Sequence, residues 1–314
     1  MVDRKIGFID RTGKVVLEPQ FDEITCFAEG LARVVLSYRS VDSYLVVKRC
    51  CFVDLHGKQA FTREFETTYH PTSFAPAAFA LVSMPPYPRL FVEGLAAVKE
   101  GGKVGYIDKN GNFAIPAIYD SGSDFSEGVA VVRTGERTEI IDTHGIVLAK
   151  LPSSMKLVDS SREGLLLVDT GGKRGFISHK GEWVIRPQSE YVSPFSEGLA
   201  LIAKQTESGG WFGCKKTSKL LVGFMDGSEK TVIQPQFEDT MSSHFSEGLA
   251  AVKRIGENKV GYIDKTGGFA IKPQFQSVGP FKNGVARVYV TGHKKDQFLF
   301  GYINKQGNFI WKQE

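Results

Sequence analysis

The chain has 314 residues, 24% charged and 42% hydrophobic, with a net charge of +4 at neutral pH; it is long enough to bury a core without staples and too apolar for a disordered chain. No apolar run approaches the roughly 18 residues of a membrane helix, no basic block marks a nucleic-acid footprint, and Cys26, Cys50, Cys51 and Cys214 form no C-x-x-C pair, which argues against a zinc ribbon or redox motif and suits a reducing compartment. Glycine (34 residues) and phenylalanine (23 residues) are in excess, so many turns between short strands are expected.

In chain order, the first element is a hairpin phrase, Gly7-Phe-Ile-Asp-Arg-Thr-Gly13. It returns at Cys51–Gly57, Gly105–Gly111, Glu139–Gly145, Gly175–Gly181, Gly261–Gly267 and Gly301–Gly307, and in shortened form at Gly223–Gly227. A second phrase alternates with it: Phe27-Ala-Glu-Gly-Leu-Ala-Arg-Val34, then Phe91–Val98, Phe125–Val132, Phe195–Ile202, Phe245–Val252 and Phe281–Val288. Ser161–Val168 keeps only its Glu-Gly-Leu and closing Val. Connectors such as Pro19-Gln-Phe-Asp and Pro235-Gln-Phe-Glu lie between them. The spacing gives a base unit of about 34–40 residues. Three units carry insertions, at 37–49, 62–90 and 204–221, and 1–314 reads as a single array.

The residue types explain the phrases. Aromatic and β-branched runs on either side of Asp-x-x-Gly favour two strands. The Asp carboxylate caps its own turn, and the Gly takes positive φ at little steric cost. Asp10, Asp54, Asp108, Asp142, Asp226 and Asp264 are therefore expected to cap turns rather than ligate cations, since no D-x-D or EF-hand spacing surrounds them. In the Glu-Gly-Leu-Ala phrase, alternation puts Ala96 and Val98 on one face and Leu95 and Ala97 on the other. The small-Ala face is expected to pack tightly, and the face carrying Arg33 or Arg287 to reach solvent. The Glu of this phrase is copied in almost every unit, whereas a catalytic acid should be singular. His56 and His144 precede hairpin glycines and read as exposed turn fillers. No metal-ligand spacing, nucleophile elbow, phosphate loop or dinucleotide fingerprint occurs, so no catalytic residue, metal ligand or cofactor is expected.

These phrases resemble the WG (KWG) repeat, known mostly from bacterial proteins; the likeness covers nearly the whole chain. The Trp that names the repeat is replaced by Ile6, Val104, Arg174, Val222, Val260 and Phe300, so an aromatic shelf built from it is not expected. The resemblance implies architecture more than activity.

The expected fold is all-β, an array of about seven to eight β-hairpin, three-stranded repeats, with helix confined at most to the 62–90 insertion. The terminal pieces do not complement each other, which favours an open, curved, solenoid-like array; a closed propeller-like ring is the alternative. The expected function is a non-catalytic scaffold for protein–protein interaction with an unidentified partner. A carbohydrate or cell-envelope binding module is the alternative. With no apolar segment after Met1, a cytoplasmic location is expected. The candidate partner-binding residues are Trp211, Phe212, Lys215 and Lys216. Two large aromatics framed by Gly209-Gly210 and Gly213, among lysines, suit an interface anchor. The competing expectation is that Trp211 and Phe212 fold back over the neighbouring hairpin.

Overall fold

A computed structural model describes residues 5–9, 14–40, 46–69, 89–208, 217–240, 243–291 and 298–313. Among these there is no helix, and every paired strand is antiparallel. No sheet closes into a barrel. The 62–90 insertion supplies strand Phe65–Tyr69, and residues 70–88 lie outside the described residues.

The second repeat shows how the phrases build a sheet. Glu93 and Gly94 both take positive φ, and Val92 and Leu95 exchange backbone hydrogen bonds around them. Positive φ at both central residues is the geometry that matches the twist of a two-residue hairpin. Strand Ala96–Glu100 follows, turns at Gly101-Gly102 and pairs with Lys103–Ile107. At the next turn the Asp108 carboxylate accepts the amides of Asn110 and Asn112, both at 2.9 Å, and Gly111 donates to the Asp108 carbonyl. Strand Phe113–Tyr119 completes the meander. The same carboxylate cap recurs at Asp54, Asp142, Asp226 and Asp264, and Asn304 supplies it through its amide oxygen. Asp10 lies outside the described residues.

The connectors add what the three-strand reading lacked. Ser121–Gly122 and Ser277–Val278 each form a short fourth strand on the next repeat's first strand, as the longer Met155–Arg162 does on Leu165–Thr170. Single bridges do the same at Ile24↔Val34 and Val192↔Ile202.

Both faces of the first strand are buried, against different neighbours. Ala96 and Val98 pack with Phe52 and Phe91, while Leu95 and Ala97 pack with Tyr106, Phe125 and Ala130. The small alanines fit because sheets approach one another here. Arg287 is exposed and Arg33 half-buried, so the Arg-bearing face reaches solvent only in places. The hairpin phrase begins with Gly for a similar reason. A Cβ on Gly261 would lie 2.6 Å from the Ile271 carbonyl oxygen, closer than packed atoms allow.

One aromatic contact recurs from step to step. Phe8–Phe27, Phe52–Phe91, Tyr106–Phe125, Phe176–Phe195, Phe224–Phe245 and Tyr262–Phe281 all have ring centroids 4.7–5.0 Å apart. Such pairs add about 0.5–1.5 kcal/mol beyond burial. The step that carries Ile140 and Ser161 in these positions has neither ring. Around it the chain divides into two compact units, Met1–Ser153 with His179–Gly181, and Ser154–Ser178 with Glu182–Glu314.

Candidate functional site

The 204–221 insertion lengthens the first two strands of its repeat. Leu199–Ser208 and Thr217–Asp226 pair without a break from Leu199↔Asp226 to Ser208↔Thr217. In the following repeat the corresponding strands, Ala250–Arg254 and Val260–Ile263, are only five and four residues long. The Thr206 hydroxyl donates to the Lys219 carbonyl at 3.1 Å, and the Lys219 ammonium bonds the Glu238 carboxylate at 3.0 Å. That bond, with the Gly256 amide, holds the Glu238 carboxyl below the ordinary range. Trp211, Phe212, Lys215 and Lys216 belong to residues 209–216, outside the described residues. The 37–49 insertion has the same form, lengthening Ala32–Ser40 and Val46–Val53.

The repeated Glu has a structural task that single-repeat reasoning missed. Its carboxylate accepts the backbone amide of the Gly in the next Glu-Gly or Asn-Gly turn. Gly94 donates to Glu29 at 3.0 Å, Gly128 to Glu93 at 2.9 Å, Gly248 to Glu197 at 2.9 Å and Gly284 to Glu247 at 2.9 Å; Gly198 donates to Glu163 likewise. Hairpin lysines join this edge: Lys109 on Glu29, Lys265 on Glu197 and Lys305 on Glu247. The Lys109 hydrogen bond holds the Glu29 carboxyl below its ordinary value, and Lys305 does so for Glu247. These glutamates sit at φ of 51–55°, where a non-glycine residue is strained by about 1–2 kcal/mol. The charge-assisted bond to the next turn offsets that cost. The signal was the recurrence of Glu before the turn Gly in almost every repeat, across insertions of different length.

Other candidate groups are also accounted for. His56 and His144 are exposed in their turns, where their amides donate to Asp54 and Asp142. Cys50 and Cys51 are buried on opposite faces, and burial pushes both thiols up, Cys51 to about 11. Among the described residues, no three His, Cys, Asp or Glu side chains gather as a metal site would require.

The last sheet carries an aromatic face that the repeat phrases did not announce. Tyr302 and Trp311 are register partners with rings 6.1 Å apart, 39% and 49% exposed. Phe300 lies 5.3 Å from Trp311, and the Arg287 guanidinium sits 4.5 Å from the Phe300 ring centre. Phe300 occupies the position of the missing Trp.

Residues 6–37, 105–137, 175–205, 223–256 and 261–292, together just over half of the chain, match the family model described as WG containing repeat. No curated protein matches the chain in sequence. Among solved structures, the chain is similar to the WD40 domain of Neurospora crassa Pan2, at 12% identity over 92% of this chain and 87% of that one, with a TM-score of 0.40. It is also similar to a quinonprotein alcohol dehydrogenase-like protein from Bacteroides thetaiotaomicron, at 11% identity over 90% and 88%, with a TM-score of 0.34. At such scores neither structure bears on what this chain does.

Proposed function

The chain belongs to the WG-repeat family, and from that premise we propose that it is a non-catalytic scaffold, working in the cytoplasm, that binds another protein. The observation that carries this reading is the ribbon formed by Leu199–Ser208 and Thr217–Asp226. Its extra length is not needed to complete a repeat, and between its two strands the chain runs through Gly209-Gly210-Trp211-Phe212-Gly213. Aromatic anchors ringed by charge are what interface hot spots are made of. In the test, lysate proteins retained by the immobilised full chain are compared with those retained by a Trp211→Ala, Phe212→Ala double variant. Loss of a retained protein with an unchanged melting curve supports the reading. A loss of several kcal/mol in stability, as for a large core side chain, identifies Trp211 and Phe212 as covering residues and defeats it.

The exposed face of Tyr302, Trp311 and Phe300 favours a second reading, carbohydrate binding, because flat aromatic surfaces stack on sugar rings. A glycan array separates the two. Binding that disappears in Trp311→Ala and persists in the Trp211, Phe212 double variant selects the carbohydrate reading.

A further inference from the structure

Two departures from the repeat pattern meet in one cavity. The first is Arg174. The residue at this position in other repeats is Val104, Val222 or Val260, each buried and filling space between sheets. The second is Glu229, which stands where other hairpins have Gly. Its φ is +66°, and its amide donates to the Asp226 carbonyl as the glycines do. At that position in regular repeats the chain passes close to the preceding repeat. A Cβ on Gly145, Gly267 or Gly307 would come within 3.0–3.2 Å of Ile115, Ile233 or Ile271 respectively. Ile185 is the matching isoleucine of the fourth repeat, which joins the Ser161–Val168 phrase to the Gly175–Gly181 hairpin and precedes the fifth, which joins Phe195–Ile202 to the Gly223 hairpin. With a full side chain at 229 and a cation at 174, a cavity of about 340 Å³ opens beside Ile185.

The lining divides by chemistry. Phe176, Ile185, Val192 and Met225 form one buried cluster with Ile202 packed against it, and this cluster is the cavity's apolar floor. Strand alternation puts Arg174 on the face of Phe176, and Lys204 on the face of Ile202. Both cations therefore border this apolar floor. Arg174 spends one N–H on the Val192 carbonyl, at 3.0 Å, and the rest of its fork remains. Lys204 is exposed and has no ion-pair partner among the described residues. Arg186 adds a third cation to the lining. Among the described residues Glu229 is the one acid in the lining, and its carboxylate is taken up by the Gln188 amide.

We propose that this cavity between the fourth and fifth repeats binds a small amphipathic carboxylate, its apolar body on the floor formed by Phe176, Ile185, Ile202 and Met225 and its carboxylate at Arg174 and Lys204. Its volume lies at the small end of the roughly 300–1,000 Å³ typical of ligand pockets, and its lining joins the apolar floor to a polar rim that also includes Ser189, Thr231 and Gln234. Arg presents a fork that matches a carboxylate. The proposal stands or falls independently of the scaffold reading.

The test uses octanoate as the probe, with octanamide and octylammonium as neutral and cationic counterparts, against the full chain carrying ¹³C-methyl methionine. Met225 lines the cavity, while Met155 is buried outside its lining, so the two methyl signals separate site binding from general adsorption. The expected result is a saturable shift of the Met225 signal by octanoate, with Met155 unmoved, at least about tenfold weaker for octanamide because the charge-assisted bonds are lost. Lys204→Gln, a change on an exposed strand position, should weaken octanoate by about threefold or more and leave octanamide unaffected. Arg174→Gln should weaken it further, with a melting curve reporting whether loss of the Val192 bond disturbs the fold. Equal affinity for the three probes, an unsaturable shift, equal movement of Met155, or octanoate binding indifferent to Lys204→Gln would each overturn the proposal.

Discussion

Two steps of the same unit, built from the same phrases, behave differently. In the step around the sixth repeat, Gly267 lies against Ile233, Val260 is buried, and the Tyr262 hydroxyl donates to the Gly279 carbonyl at 2.8 Å. In the step between the fourth and fifth repeats, Glu229 replaces the Gly, Arg174 replaces the Val, and Phe176 has no hydroxyl to donate. The Arg174 guanidinium bonds the connector carbonyl of Val192 instead. Meanwhile the aromatic pair is kept, Phe176–Phe195 at 4.7 Å against Tyr262–Phe281 at 4.9 Å. Between these two steps the ring pair is thus the element that is kept, and the seam beside it is where side chains vary and a cavity forms.

The largest expected effect breaks the ring pair. Tyr262→Ala or Phe281→Ala, each removing a fully buried ring, should cost about 3–5 kcal/mol in denaturant unfolding. The double variant should lose less than the sum, by about 0.5–1.5 kcal/mol, because the rings touch. Strict additivity would show that the pair is not a coupled unit.

A smaller effect contrasts the two seams by sign. Gly267→Val forces a β-branched residue to φ +87° against Ile233 and should cost about 1–3 kcal/mol. Glu229→Gly makes the reverse change at φ +66° and should gain up to about 1 kcal/mol from relief of strain. Thermal melts of both variants check this. A loss in both would mean that the Gln188 bond to Glu229 outweighs its strain.

The smallest expected effect concerns the acidic edge. The carboxyls of Glu29 and Glu247 are held below their ordinary value of 4.5 by Lys109 and Lys305 respectively, and by the next turn's amide. A depressed folded-state pKa contributes stability above the unfolded value, and this is lost as pH falls through the folded one. The stability difference between wild type and Glu247→Gln should therefore be full above pH 4.5 and shrink below it. Urea midpoints measured across that range test this, and a difference that does not change with pH would show that the Glu247 carboxylate does not stabilise this edge.

Much of a single repeat was legible in the residues. Asp-x-x-Gly carries its turn in the reach of one carboxylate to two following amides. Glu-Gly carries its turn in the ease of positive φ at Gly. Alternation assigned Ala96 and Val98 to one face and Leu95 and Ala97 to the other. All of these are local, set by neighbours a few residues away. The family phrases were recognisable for the same reason.

What the sequence by itself determined is therefore the repeat, its hairpins and its all-β class. What only the tertiary structure decided is everything that depends on how one sheet lies on the next. The two buried faces of Ala96–Glu100, the Glu29-to-Gly94 bond, the extra strand at Ser121–Gly122 and the cavity beside Ile185 all join residues of successive repeats or of a repeat and its connector. The physical reason is distance along the chain. A hydrogen bond between Glu29 and Gly94 spans 65 residues, and no propensity or spacing within one repeat fixes the offset of two stacked sheets to the fraction of an ångström that such a bond requires. Arg174 and Glu229 illustrate the same limit. Arg174 was visible in the sequence as a departure from its phrase, whereas Glu229 was hidden because the hairpin read as a shortened phrase ending at Gly227; only the structure puts Glu229 in the turn position and both residues at one cavity.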